Sequence, residues 1–168
     1  LSGPWKSRAA QDYFNKGMVE EAAKLGHAKA QGKMAHRCYF GIHGVTKDLV
    51  KCVEWAKKAA AGGDMVGQFW LGYAYDHGEG GLAKNWVLAK EWYEKAAAQG
   101  SAASMTNLGG LYHEGGHGLT QNHVTAVKWF RKSAEAGNKL AQCNLGDCYY
   151  KGQGVGKDLV QARTWFQK

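Results

Sequence analysis

Apolar and small residues return along this chain at a long, regular interval. Trp55, Trp92, Trp129 and Trp165 are separated by 37, 37 and 36 residues. Three residues before each Trp stands a small residue, Cys52, Ala89, Ala126 or Ala162. Four and five after it come Ala59-Ala60, Ala96-Ala97 and Ser133-Ala134, and eight after it Gly63, Gly100 and Gly137. Upstream, Leu71-Gly72, Leu108-Gly109 and Leu145-Gly146 keep the period, followed by Tyr75, Tyr112 and Tyr149 and then by Gly78, Gly115 and Gly152. The first unit departs from this frame with Met34-Ala35 and Cys38.

Each unit reads as two helices. Leu108 and Tyr112, four apart, give the first helix, from Ala102 to about Glu114, one apolar stripe. Gly115 to Gly118 end it, because glycine reaches positive φ without strain. Asp48, Asn85, Asn122 and Asp158 stand where the second helix wants an N-cap. Gly109 and Ala126 let the two backbones approach, with Trp129 and Tyr112 expected to fill the seam. A lone hairpin cannot bury its apolar face, so successive hairpins must stack. The units fall at 28–64, 65–101, 102–138 and 139–168, the last incomplete, within one repeat domain spanning 1–168. Residues 10–26 fit an orphan second helix, with Met18 in the Trp position and Ala22-Ala23 and Gly26 in frame.

These residues resemble the Sel-1-like repeat (SLR) family, relatives of the tetratricopeptide repeats. The family pattern is A-x-A-x-x-x-L-G-x-x-Y-x-x-G-x-G-V-x-x-D-x-x-x-A-x-x-W-x-x-x-A-A-x-x-G. The stretch from Asn144-Leu145-Gly146 through Gly152-Gln153-Gly154-Val155 to Asp158 follows it almost throughout. The resemblance implies an all-α fold, an α-α superhelix (solenoid) of antiparallel helix pairs whose concave face holds partners. It implies an adaptor that assembles protein complexes, with no shared catalytic residue.

Composition narrows the alternatives. The chain has 168 residues, 45% hydrophobic and 21% charged, with 24 Gly and one Pro. That balance is ordinary for a globular protein and excludes a disordered or fibrous chain. No apolar run reaches the roughly 18 residues a membrane span requires. The start at Leu1 and the stop inside a helical pattern at Trp165-Phe166 read as a piece trimmed from a longer chain. Cys38, Cys52, Cys143 and Cys148 include no C-x-x-C, and buried free thiols are the expectation rather than a disulfide framework.

His113-Glu114-Gly115-Gly116-His117 matches H-E-x-x-H, the zinc-protease signature. That chemistry needs both histidines on one face of a continuous helix. Here two glycines interrupt the motif at the helix-ending turn, so neither a metal-dependent hydrolase nor a site built from His113, His117 and His123 is favoured. The Gly78 to Gly81 stretch lacks the preceding strand and following Lys-Ser/Thr of a phosphate loop. No catalytic residue, metal ligand or cofactor is assigned. Trp86 reads as loop core, with a contact to a neighbouring protein as the other reading.

The positions not reserved for packing are more informative. The slot before Leu holds Lys33, Trp70, Asn107 and Asn144, and two after Leu come His36, Tyr73, Gly110 and Asp147. In a concave face, Lys29, Lys33 and Arg37 would attract an acidic stretch. Trp70 and Tyr73 would anchor apolar side chains, and Asn107, Asn144 and Asp147 would fix a peptide backbone. The formal charge is +8. The lysines of the second helices stand beside Glu54, Glu91, Glu94 and Glu135, a solvated mixture that argues against nucleic acid. A protein or peptide partner is therefore expected. The other reading is a structural subunit of a large assembly, peripheral to a membrane.

Overall fold

The computed structural model describes residues 4–168. The helices are α1 (Pro4–Asn15), α2 (Val19–Lys24), α3 (Ala28–Phe40), α4 (Leu49–Ala61), α5 (Met65–His77), α6 (Trp86–Ala98), α7 (Ala102–Glu114), α8 (His123–Glu135), α9 (Lys139–Lys151) and α10 (Leu159–Phe166). Among the described residues there is no strand, only an isolated bridge between Gly116 and Leu119. The helices gather into two compact units, Leu1–Lys84 and Asn85–Lys168. In the first, α3 packs on α4, α5 lies against both, and α1 and α2 adjoin α3 through α2. In the second, α7 pairs with α8 and α9 with α10, while α6 rests on α7 and α8 on α9.

Capping sets the start of every full-length repeat helix. Asp48, Asn85 and Asn122, all near φ −153° to −154°, accept from the backbone N–H three residues on, at 2.9–3.0 Å. Asp158 accepts from both Val160 and Gln161. These are the caps the spacing predicts. A second series caps the first helices: the His27 ring nitrogen, Asp64, Ser101 and Asn138. Each follows a glycine in the left-handed region, Gly26, Gly63, Gly100 or Gly137. The periodic Gly thus ends one helix while its neighbour opens the next.

The seam between paired helices differs from expectation. A Cβ placed on Gly109 would lie 2.4 Å from the Phe130 ring, and one on Gly146 would lie 2.6 Å from the Phe166 ring. In the third unit Phe130, not Trp129, therefore fills the space that the glycine leaves. In the fourth, Phe166 reaches Gly146 while 48% exposed, and Trp165 is the buried ring. Phe130 is 3% exposed at the centre of a cluster with Ala126, Leu145 and Cys148. Trp129 is only half-buried, and Lys132 Nζ sits 4.8 Å above its ring. Where the first unit has Ala35 in place of the glycine, the matching second-helix position is Ala56, so the ring is absent where the glycine is absent.

The turn of one repeat sits on the second helix of the repeat before it. Gly154 has φ +74°, and a Cβ there would stand 2.2 Å from the His123 carbonyl oxygen. Gly80, with φ +60°, meets the Leu49 carbonyl at 2.4 Å in the same way. Backbone cannot move aside as a side chain can, so both positions require glycine on two counts. Buried glutamines add a clamp: Gln31 and Gln142 donate at 3.2 Å to the carbonyls of Ala23 and Ala134, at the ends of the preceding second helices.

The N-terminal expectation needs correction, since 10–26 is not one helix. α1 stops at Asn15, Gly17 turns with φ +77°, and α2 begins only at Val19. Met18 offers no side-chain cap and is exposed rather than seated in a Trp position. Ala22 and Ala23 are buried as the frame requires, against Ala30 and Met34.

The buried Phe130 predicts that Phe130→Ala costs about 3–5 kcal/mol, more than Trp129→Ala, in urea unfolding followed by circular dichroism. The cysteines are all free, with Cys143 exposed and the other three buried. Burial pushes the Cys52 thiol up from 9.0 to about 12, and also raises Cys38 and Cys148. At neutral pH a thiol reagent is expected to label Cys143 quickly and the others only on unfolding. The unfolded Cys52 thiol ionises first, so stability should decline as the pH rises from 9.0 towards about 12. A pH series of urea midpoints with and without Cys52→Ala measures that loss.

Candidate partner-binding surfaces

In the first unit the aromatic residues of α3 and α5 form one cluster. The Trp70 ring lies 4.3 Å from Tyr39, 5.7 Å from Phe40, 5.6 Å from Tyr73 and 5.9 Å from His36. Trp70 is 5% exposed, so the expectation that it stands free as an anchor is corrected. Tyr39 and its neighbours are tall enough to roof it, a fact that slot-by-slot alignment with small residues does not reveal. The exposed ring is Phe40, at 53%. Tyr73 is half-buried and stacked on His77 at 4.0 Å, and its hydroxyl accepts from Tyr39 at 3.2 Å. Burial, reinforced by that hydrogen bond, lifts the Tyr39 phenol well above its ordinary range.

The basic side chains of α3 keep their predicted exposure in part. Lys29 and Lys33 are exposed, with Lys33 Nζ 4.8 Å above the Phe14 ring. Arg37 is half-buried and its field reaches Glu20. Lys24 is the main partner of that carboxylate, 2.8 Å away, and holds it below the usual carboxylate range.

In the second unit, Asn107 is tied into the interior, donating at 2.9 Å to the hydroxyl of the buried Tyr93. Asn144 and Asp147, by contrast, line an open cleft of about 150 Å³ between α7 and α9. Gly110 leaves the opening that a side chain would close, and His113, Glu114, Lys151 and Gln153 complete the polar wall. His113 Nε2 lies 3.3 Å from Gln153 Oε1, and its ring is 4.8 Å from that of His123. The buried His123 Nδ1 has no partner. Donors and acceptors thus share the wall of a space of about 150 Å³.

The H-E-x-x-H residues part company. α7 stops at Glu114, and His117, with φ +47°, turns its ring to Trp86 at 4.9 Å, whereas His113 faces α8 and α9. The two side chains share no helix face. Among the described residues, no three His, Cys, Asp or Glu side chains stand close enough to hold a metal ion. Trp86 is buried, as the loop-core reading expects.

One regularity escapes the residue pattern. Lys58, Lys95, Lys132 and Lys168 each place Nζ 3.7–4.8 Å above the Trp three residues earlier. The i,i+3 spacing on a helix brings the ammonium over the indole face. The spacing W-x-x-K is visible in the sequence, but dispersed lysines read there as solvated charge.

Comparison with known proteins agrees with this geometry. The Sel1 repeat model matches residues 28–64, 66–101, 102–138 and 139–168. The crystal structure of a protective antigen present in uropathogenic Escherichia coli strains, with an SLR fold, is 34% identical, with a TM-score of 0.78 over 98% of this chain. The chain spans 37% of that antigen's length. A Sel1 repeat protein from Oxalobacter formigenes is 28% identical, with a TM-score of 0.82, covering 99% of this chain and 70% of its own. No curated protein matches the chain. Proteins built from these repeats generally mediate protein–protein interaction. With four matched units over most of its length, the chain belongs to the Sel1 repeat family.

Proposed function

We propose that this chain is a non-enzymatic scaffold that docks a protein or peptide partner on the exposed faces of its first helices. The observation that carries this reading is the α7–α9 cleft. Asn144 and Asp147 face an opening of about 150 Å³, whereas the slot of Asn144 is taken into packing by Trp70 and into a hydrogen bond to Tyr93 by Asn107 in other units. A polar cleft of this kind loses hydration on closure unless something with matching donors and acceptors enters. An extended peptide backbone supplies both at every residue.

Each unit contributes separately. In the first, Lys29 and Lys33 attract an acidic stretch, with Arg37 adding to the local field. Phe40 and the exposed edge of Tyr73 offer apolar contact, supported from beneath by Trp70. In the second, Asn144 and Asp147 fix the backbone of the partner, and Asn107 acts indirectly by holding Tyr93. Affinity comes from complementarity of shape and charge rather than from any bond made or broken.

The test is retention of the partner that co-purifies with the chain from its native source. Combining Lys33→Glu with Asn144→Ala and Asp147→Ala should weaken retention by about tenfold or more, with helical circular dichroism unchanged. Undiminished retention by the triple variant overturns the assignment.

A further inference from the structure

The second unit carries another surface, on α8, that the first-helix reading does not use. Val124, Val127, Trp129 and Val155 line a cleft of about 530 Å³ between α8 and the turn after α9. Its charged lining is Lys128, Arg131 and Lys132, with no carboxylate among the lining residues. Val124 is 54% exposed at the cleft's end. The wall is firm, because Gly154 places the turn's backbone directly on the first turn of α8.

Two of the three cations are preset rather than mobile. Lys132 is stacked on Trp129, and Arg131 donates to the Tyr149 hydroxyl at 2.7 Å. The repeat itself does not need a cation at the slots of Lys128 and Arg131, although the Lys132 slot keeps its lysine in every unit. One period earlier, the slots of Lys128, Arg131 and Lys132 hold Glu91, Glu94 and Lys95, and two periods earlier Glu54, Lys57 and Lys58. In α6 the Glu94 carboxylate lies 3.8 Å from Lys90. The same helical frame thus tolerates either sign at the Lys128 slot, and of these three helices only α8 gathers three positive charges round an apolar floor.

We infer that the α8 cleft is a second docking site, for an acidic amphipathic segment of a partner protein. Its apolar side chains seat on Val124, Val127 and Val155, and its carboxylates meet Lys128 and Lys132. Charge selects this occupant. A second copy of the chain related by a two-fold axis would bring the same three cations face to face. An apolar floor with a one-sign rim is the arrangement that receives an amphipathic helix in a groove.

The full chain, isotope-labelled for NMR, is titrated with a synthetic helix of about 14 residues carrying Leu at i, i+3, i+4 and i+7 and Glu elsewhere. Shifts are expected at the Val124, Val127 and Val155 methyls and the Trp129 indole. The double variant Lys128→Glu, Lys132→Glu should bind about tenfold more weakly. A glutamate in the Lys128 slot repeats what the frame already accepts at Glu54 and Glu91, so Lys128→Glu alone should keep the fold and still weaken binding. Unchanged circular dichroism of the double variant checks the loss of the Lys132 stack on Trp129. A peptide with Ser for Leu, or Lys for Glu, should fail to compete. Asn144→Ala with Asp147→Ala should leave this binding intact, which separates it from the first-helix reading. Equal binding of the Ser peptide, shifts confined to the α7–α9 cleft, or no binding at all overturns the site. Val155→Ser should weaken the Leu peptide as well, and unchanged affinity counts against the apolar floor. Self-association in sedimentation abolished by the double variant would give the face to a second copy, and preferential adsorption to phosphatidylserine vesicles would give it to a lipid surface; either result overturns the assignment to a partner protein.

Discussion

The fit of an aromatic ring into a missing side chain closes the helix pairs of the last two repeats. Gly109 and Gly146 leave gaps that Phe130 and Phe166 occupy at distances no Cβ could share. Close approach of the two helices follows, and with it the burial of Leu108, Ala126 and Leu145 to essentially zero exposure. Because interiors are packed to crystal-like density, a ring and a hole must change together. The Ala35 and Ala56 positions of the first unit show the two changing together, since the ring is missing where the glycine is.

Successive repeats within each unit are joined by contacts of backbone, not by side-chain packing alone. The turns containing Gly80 and Gly154 rest on the carbonyls of Leu49 and His123, and Gln31 and Gln142 bond the ends of the preceding helices. The glutamine bonds satisfy helix-terminal carbonyls that would otherwise be buried without partners. Together these contacts free the remaining first-helix and second-helix surfaces from structural duty. The variable slots of α3, α7, α8 and α9 can then carry Lys33, Gly110, Lys128 and Asn144 without cost to the frame.

Two surfaces result, of different character. The α7–α9 cleft is small and polar, and under the proposed function it holds backbone. The α8 cleft is larger and apolar with a positive rim. A scaffold with one site for an extended segment and one for a helical segment can hold a partner by two epitopes, and linked contacts of that kind gain from effective concentration rather than from new chemistry.

The period of 37 residues, the helix pairs, the second-helix caps and the matched repeats were legible from residue types alone. They depend on local rules: glycine for positive φ, Asp or Asn for capping, apolar residues at helical spacing. The exposure of Lys29, Lys33 and Asp147 was legible as well, because long or charged side chains stay in water. What tertiary structure decided was which large side chains meet. Trp70 and Asn144 share a slot, yet one is roofed by Tyr39 and Phe40 while the other opens on a cleft made by Gly110. Phe130 outranked Trp129 in the seam for the same reason, since which ring enters a gap depends on the facing helix. A sequence specifies the periodic frame through interactions a few residues long. The occupancy of a slot depends on neighbours a whole repeat away, and their volumes and directions are set only when the helices pack.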